Sequence, residues 1–143
     1  MTEKKYLPST WGVAADHVER YLATNGKDGF EFNGAKCIVL TTFGRKSGAI
    51  RRSPLIRVTD GDRYLAVASM GGAPKHPSWY LNLLENPNVT IQDRAKIYQM
   101  IARTATSEEK EELWPKAVTE WPDYENYQNK TKRDIPLVIC EQI

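Results

Sequence analysis

The sequence predicts a mainly β fold, a small antiparallel barrel with helices packed outside it, and three observations predict it. About six short apolar or β-branched runs follow one another across Gly-, Asp- or Asn-centred turns, the grammar of hairpins. Helical periodicity appears in only three places, whereas a doubly wound parallel sheet needs a helix between most strands. No repeat, low-complexity tract or linker interrupts the 143 residues, which read as one domain over 1–143 with a barrel over 36–143. A chain of that size buries about 68–70% of its unfolded surface without a staple.

The first element is an amphipathic helix over 10–25. Trp11, Ala14, Val18, Tyr21 and Leu22 share one stripe, with Ser9 or Thr10 to cap its start and Gly26 its end. It packs on its own barrel, on a partner chain, or weakly on a membrane surface. Its polar face (Asp16, His17, Glu19, Arg20) carries no cation excess, which disfavours the membrane. Next come strands Cys37 to Phe43 and Ile50 to Val58, joined by Gly44-Arg45-Lys46-Ser47-Gly48. Asp60-Gly61-Asp62 turns the chain into Tyr64 to Ala68, apolar on both faces and central, as the third strand of a meander.

A Gly/Pro loop, Ser69 to Pro77, leads to a short helix over Ser78 to Glu85 that Asn86-Pro87 stops. Val89 to Gln92 and Ile97 to Thr104 form two strands across Asp93-Arg94-Ala95. A third helix opens at Ser107-Glu108-Glu109 with acids at its positive end and runs to about Trp121, kinked or interrupted near Pro115. A polar, aromatic segment over 121–133 precedes a last strand, Pro136 to Cys140.

Composition narrows the chemistry. Cys37 and Cys140 lie far apart in apolar runs, with no C-x-x-C and no Cys/His cluster, so buried free thiols are expected and no metal site. Residues 1–8 lack the apolar core of a signal peptide, and no run approaches the roughly 18 apolar residues of a membrane span. The expectation is a soluble, cytoplasmic protein, peripheral at the inner face of the plasma membrane only if the first helix binds lipid.

The charge, by contrast, is placed. The chain balances 20 basic against 18 acidic residues, yet no carboxylate occurs between Phe32 and Thr59, where Lys36, Arg45, Lys46, Arg51, Arg52 and Arg57 gather. Such a field suits an anion. The Gly44–Gly48 turn is not a P-loop, since only Lys46-Ser47 matches. Its glycines can expose amides, Ser47 a hydroxyl, and Arg45 and Lys46 charge. A solvated hairpin tip is the alternative, and Arg51 and Arg52 across the same hairpin tilt the balance to an anion site.

Two further constellations stand out. Ser69, Gly71 and Gly72 permit close backbone approach to a flat ligand, with Trp79 and Tyr80 just beyond. His76 is either an acid–base group or an exposed loop residue. Trp121, Tyr124 and Tyr127, spaced by three, share a helical face and line either the core or a cleft among Asp123, Glu125 and Asn126. No nucleophile–base–acid arrangement is evident. A flat aromatic pocket beside a cationic patch suits a protein that leaves the difficult chemistry to a bound organic cofactor.

Five spaced motifs then occur in order. They are Leu40-Thr41-Thr42-x-Gly44-Arg45-Lys46-Ser47-Gly48 with Pro54-Leu55; Ala68-Ser69-x-Gly71-Gly72; Pro77-x-Trp79-Tyr80-Leu81-Asn82-Leu83; Asn86-Pro87-x-Val89; and Tyr124-x-x-Tyr127-Gln128. Over residues 10–143 the chain resembles the deazaflavin (coenzyme F420)-dependent nitroreductase family of mycobacteria and related actinobacteria. The resemblance implies a split β-barrel like those of FMN-binding and pyridoxamine-oxidase-like proteins. It implies hydride transfer from reduced coenzyme F420 to electron-poor organics: quinones, nitro compounds, and unsaturated lactones such as coumarins and aflatoxins.

The same resemblance assigns residues. Arg45, Lys46, Ser47, Gly48, Arg51 and Arg52 would hold the anionic phosphodiester and oligoglutamate tail. Pro54, Ala68, Ser69 and the Gly71-Gly72 backbone would line the deazaflavin ring, with Trp79, Tyr80 and Asn82 near it, and Met70, Lys75 and His76 would also contact the cofactor. Ser69, Tyr124 and Tyr127 would be the catalytic hydroxyls, and Trp79, Trp121, Tyr124 and Tyr127 the acceptor's walls. Two positions depart from the family pattern: Met70 stands where a lysine is expected, and Trp121 where a tyrosine is expected. Trp121 disfavours nitroimidazoles and leaves flat polycyclic lactones or quinones. The partner is thus a small-molecule acceptor, with no nucleic acid, in a monomer or dimer. The rivals are an FMN-dependent oxidoreductase on the same barrel and a non-enzymatic cofactor or lipid carrier.

Overall fold

A computed structural model describes residues 5–143. After helix α1 (Gly12–Thr24) the chain forms β1 (Glu31–Phe32), β2 (Ala35–Phe43), β3 (Ile50–Ile56), β4 (Thr59–Asp60) and β5 (Arg63–Val67). A 3-10 turn (Met70–Gly72) and α2 (Ser78–Glu85) follow, then β6 (Asn88–Asp93), β7 (Lys96–Thr104), α3 (Ser107–Glu120), α4 (Asp123–Lys130) and β8 (Leu137–Gln142). The eight strands make one antiparallel sheet in the order β1-β2-β6-β7-β8-β5-β4, with β3 on the other edge of β2, and it curls into a split barrel. No helix among the described residues is long and apolar enough to cross a membrane.

Alternation along the strands builds the core. On β2, Ile38 and Leu40 face the barrel interior with Ala66, Ile91, Met100, Val138 and Cys140, while Cys37 and Val39 face α1 through Val18 and Tyr21. On β5 and β8, Leu65, Val67, Leu137 and Ile139 face outward to Leu113 and Ala117 of α3 and Tyr124 of α4. β5 is therefore covered on both faces, as its unbroken apolar run requires. Helix α2 turns Trp79, Tyr80 and Leu83 into the interior cluster.

Four expectations need correction. The meander ends at its second strand: β5 pairs with β4 and β8, not β3, because β8 is the partner whose apolar residues match β5 on both faces. There are eight strands and four α-helices rather than about six and three, because β1 and β4 are only two residues long and the 121–133 segment contains α4. Helix α3 runs unbroken through Pro115; the carbonyl of Glu111, which Pro115 cannot serve, lies on an exposed residue. Its cap is Thr106, whose hydroxyl accepts from the Glu109 amide while Glu109 accepts from the Thr106 amide. At α1, Ser9 Oγ accepts the Trp11 amide at 3.1 Å one residue before the helix, and Asn25 (φ 51°) closes its end.

Candidate active site

One cleft of about 510 Å³ gathers most of the candidate residues. Strand β3 supplies Arg51, Arg52 and Pro54 to one wall, and the turn at 69–71 supplies Ser69, Met70 and Gly71. The start of α2 adds Trp79 and Asn82, and the α3–α4 joint adds Trp121, Tyr124 and Tyr127. Residues that no motif marked also line it, among them Trp11, Val13 and His17 from α1 and its entry, and Phe32 from β1. Trp11 and Val13 are highly exposed, and that is the signal a reading of α1 as plain core packing misses.

No carboxylate lines this cleft among the described residues. Arg51 and Arg52 enter into no ion pair there. Arg52 instead lies 4.7 Å over the Tyr6 ring. Several polar groups reach the cleft with no hydrogen-bond partner among the described residues: the Ser69 and Tyr124 hydroxyls and the Trp79 indole N–H. Burial, and secondarily Tyr127 nearby, pushes the Tyr124 phenol well above its usual range, so it stays protonated. Trp121 Nε1 donates to the Tyr127 hydroxyl at 3.3 Å, which leaves the Tyr127 proton free to donate elsewhere. The Trp121 ring also stacks on Phe32 at 6.3 Å and 30°, joining the α4 side of the cleft to β1. Cys37 lies at its floor with its thiol pushed up to about 11 by burial, an inert group.

The cationic turn beside the cleft is docked on α2. The amide and Nη1 of Arg45 donate to Asn82 Oδ1 at 3.1 and 3.0 Å, and Asn82 Nδ2 donates to Thr42 Oγ1 at 3.2 Å. Asn82, buried and lining the cleft, thus anchors the turn to the pocket wall. The turn's glycine amides are engaged, Gly44 donating to Ala49 O and Gly48 to Gly44 O, whereas the Lys46 and Ser47 amides have no acceptor among the described residues. Ser47 Oγ accepts from the Ala49 amide, while Lys46 projects into solvent. The turn presents its side-chain charges and the amides of Lys46 and Ser47.

The remaining candidates lie elsewhere. Ala68 is fully buried and Gly72 is buried against α4, where an added Cβ would meet the Tyr127 carbonyl oxygen at 2.9 Å. Lys75 is exposed and lines no part of the cleft. His76 and Tyr80 face a separate pocket of about 210 Å³ with Thr104 and Lys110. The His76 ring stays neutral, held down by burial and then by Arg133, whose Nη1 lies 3.0 Å from its Nδ1. Arg57, one of the six clustered cations, is committed to Asp93 at 2.8 Å.

Known proteins resemble the chain over most of its length. A family model described as F420H(2)-dependent quinone reductase matches residues 14–142. An F420H(2)-dependent quinone reductase of Mycobacterium tuberculosis is 38% identical over 128 residues, covering 86% of this chain and 85% of the relative. A solved F420-H2 dependent reductase (FDR-A) is 47% identical, with a TM-score of 0.70 over 73% of this chain and 93% of that one. A second structure, described as a domain-swapped dimer, is 43% identical with a TM-score of 0.72 over 88% of this chain and 95% of that one.

Proposed function

Because the chain belongs to the F420H(2)-dependent quinone reductase family, we propose that it reduces flat, electron-poor carbonyl acceptors, quinones first, with reduced coenzyme F420. One observation carries this reading: a cleft of about 510 Å³ sets two arginines beside aromatic walls and hydroxyls, with no carboxylate in its lining and no ion pair to either arginine among the described residues. That donor set fits a planar ring with a polyanionic tail. Arg51 and Arg52 on the cleft wall, with Lys46 on the neighbouring turn, would neutralise the tail's phosphodiester and glutamates. The open side of Gly71, where an added Cβ would meet nothing within 4 Å, admits a ring close to the backbone.

When bound, the reduced deazaflavin supplies a hydride. The chain's own part is orientation and proton supply. Ser69 Oγ would donate to a ring or acceptor carbonyl, and the hydroxyl of Tyr124 or of Tyr127 would polarise the acceptor and provide the proton. The Phe32–Trp121 stack supplies an apolar stretch of the cleft wall. Trp121 also makes this wall flat and apolar, which favours quinones and polycyclic unsaturated lactones of the coumarin and aflatoxin type over nitroimidazoles.

The test is a titration with coenzyme F420 and, separately, FMN, followed by tryptophan quenching, because Trp11, Trp79 and Trp121 all line the cleft. Quenching by F420 that weakens with salt, and none by FMN, is expected. Preference for FMN overturns the cofactor assignment, and binding of neither leaves a carrier of another ligand.

A further inference from the structure

Arg133, near the end of the chain and marked by no motif, holds the ring-facing turn from behind. Its Nε donates to Ala73 O at 2.8 Å, its Nη1 to Ala68 O at 3.1 Å and its Nη2 to Ser69 O at 2.7 Å. Nη1 also donates to His76 Nδ1 at 3.0 Å. One guanidinium thus binds three carbonyls and an imidazole within nine residues. It has no carboxylate partner among the described residues, and neighbouring Asp134 pairs with Lys110. Its own backbone is pinned to α4, where Gln128 Nε2 donates to Arg133 O at 2.8 Å and Gln128 Oε1 accepts the Ile135 amide.

What it holds is a strained segment. Met70 (φ 47°), Gly71 (φ 63°) and Gly72 (φ 81°) are three consecutive left-handed residues, and methionine is unfavourable there. Such a residue persists when its surroundings over-determine it. Because the peptide planes are trans, carbonyls of Ala68 and Ser69 aimed at Arg133 turn the amides of Ser69 and Met70 to the opposite edge. Ser69 and Met70 line the cleft, and the Ser69 amide has no acceptor among the described residues.

We propose that Arg133 is a positioning residue: its fork locks the 68–73 turn, left-handed at 70–72, in the conformation that presents Ser69 and its amide to the cofactor. The proposal rests on the F420 reading given above. Lysine cannot replace it, because a single ammonium cannot span three carbonyls in the fork geometry.

The test has two arms. In ligand-free protein, hydrogen exchange at 69–73 is compared in wild type, Arg133→Lys and Arg133→Gln. In the second arm, F420 dissociation constants are measured at two salt concentrations, with Met70→Gly added to Arg133→Gln. Both Arg133 variants are expected to exchange faster at 69–73, with the β-sheet unchanged. Each should bind F420 about tenfold more weakly, the loss expected for charge-assisted bonds, with the wild-type salt dependence. Adding Met70→Gly, which removes the strain, should recover part of that affinity.

A salt dependence that falls with the affinity overturns the proposal, because Arg133 would then touch the anionic tail. Unchanged exchange and affinity overturn it too, as does faster exchange throughout the sheet without rescue by Met70→Gly. If the wild type fails to bind F420, the functional reading fails, and the exchange arm still decides the part Arg133 plays.

Discussion

Tyr124 and Tyr21 are both buried tyrosines, yet their hydroxyls are used in opposite ways. The Tyr21 hydroxyl donates to Cys37 O at 3.0 Å and accepts the Arg94 amide at 2.7 Å, so it joins α1 to β2 and to the β6–β7 turn. The Tyr124 hydroxyl binds nothing among the described residues and reaches the cleft. Removing it orphans no partner. Tyr124→Phe is therefore expected to leave stability within about 0.5 kcal/mol of wild type, read from the urea midpoint. Turnover of a quinone acceptor should fall about a hundredfold, the usual worth of a positioned proton donor, at unchanged F420 affinity. Tyr21→Phe should do the reverse, costing stability through two lost bonds. Turnover that survives both Tyr124→Phe and Tyr127→Phe would place the proton in solvent. Spacing by three makes Tyr124 and Tyr127 legible as neighbours, but only packing on Leu137 and Ile139 from the far end of the chain decides which is buried.

At the scale of elements, Asp93 at the end of β6 ties several together. It is 2% exposed and accepts from Arg57 at 2.8 Å, Tyr64 at 2.6 Å and Arg94 at 3.1 Å. Burial alone would raise its pKa, but the hydrogen bonds from Tyr64, Arg57 and Arg94 outweigh it and hold the carboxyl below its usual range. A depressed folded pKa gives stability that is present above the ordinary carboxylate pKa and lost as pH falls through the folded value. Acid unfolding in the range below about pH 4 should therefore lose part of its steepness in Asp93→Asn. That variant should also cost about 3 kcal/mol at neutral pH, by leaving a half-buried guanidinium and a buried phenol underserved. Urea melts at pH 3 and pH 7 check both. Here the sequence misleads, because Arg57 sits in the same carboxylate-free run as Arg51 and Arg52. Its partner lies 36 residues on, beyond the reach of a local pattern. The pairing of β5 with β8 escapes for the same reason, whereas hairpins such as β2–β3 and β6–β7 are written in their own turns.

Across the whole molecule, the six clustered cations separate into different tasks once the chain is folded. Arg57 is spent on Asp93, and Lys36 lies opposite Glu31 at the far end of β2. Arg45 leans on Asn82, and Arg51, Arg52 and Lys46 have no carboxylate partner among the described residues beside the cleft. Net charge therefore misdescribes the field, since +2 is an average over a surface whose cleft side is positive. If the polyanionic tail is held there, each of those cations should contribute to both affinity and salt dependence. Arg51→Ala with Arg52→Ala is expected to weaken F420 binding about tenfold or more, roughly 1.4 kcal/mol, and to flatten the dependence on salt. Lys36→Ala is the control. Five to six residues along β2 separate it from Thr41 and Thr42, which pair with Arg52 and Arg51, about 17–20 Å or roughly two Debye lengths at physiological salt, so its loss should be much the smaller. Equal losses at Lys36 and at Arg51–Arg52 would mean that net charge, not the cleft, attracts the cofactor, and the tail would have no defined seat. A flat salt response in every variant would move the tail off this face altogether and leave the aromatic walls to supply the affinity.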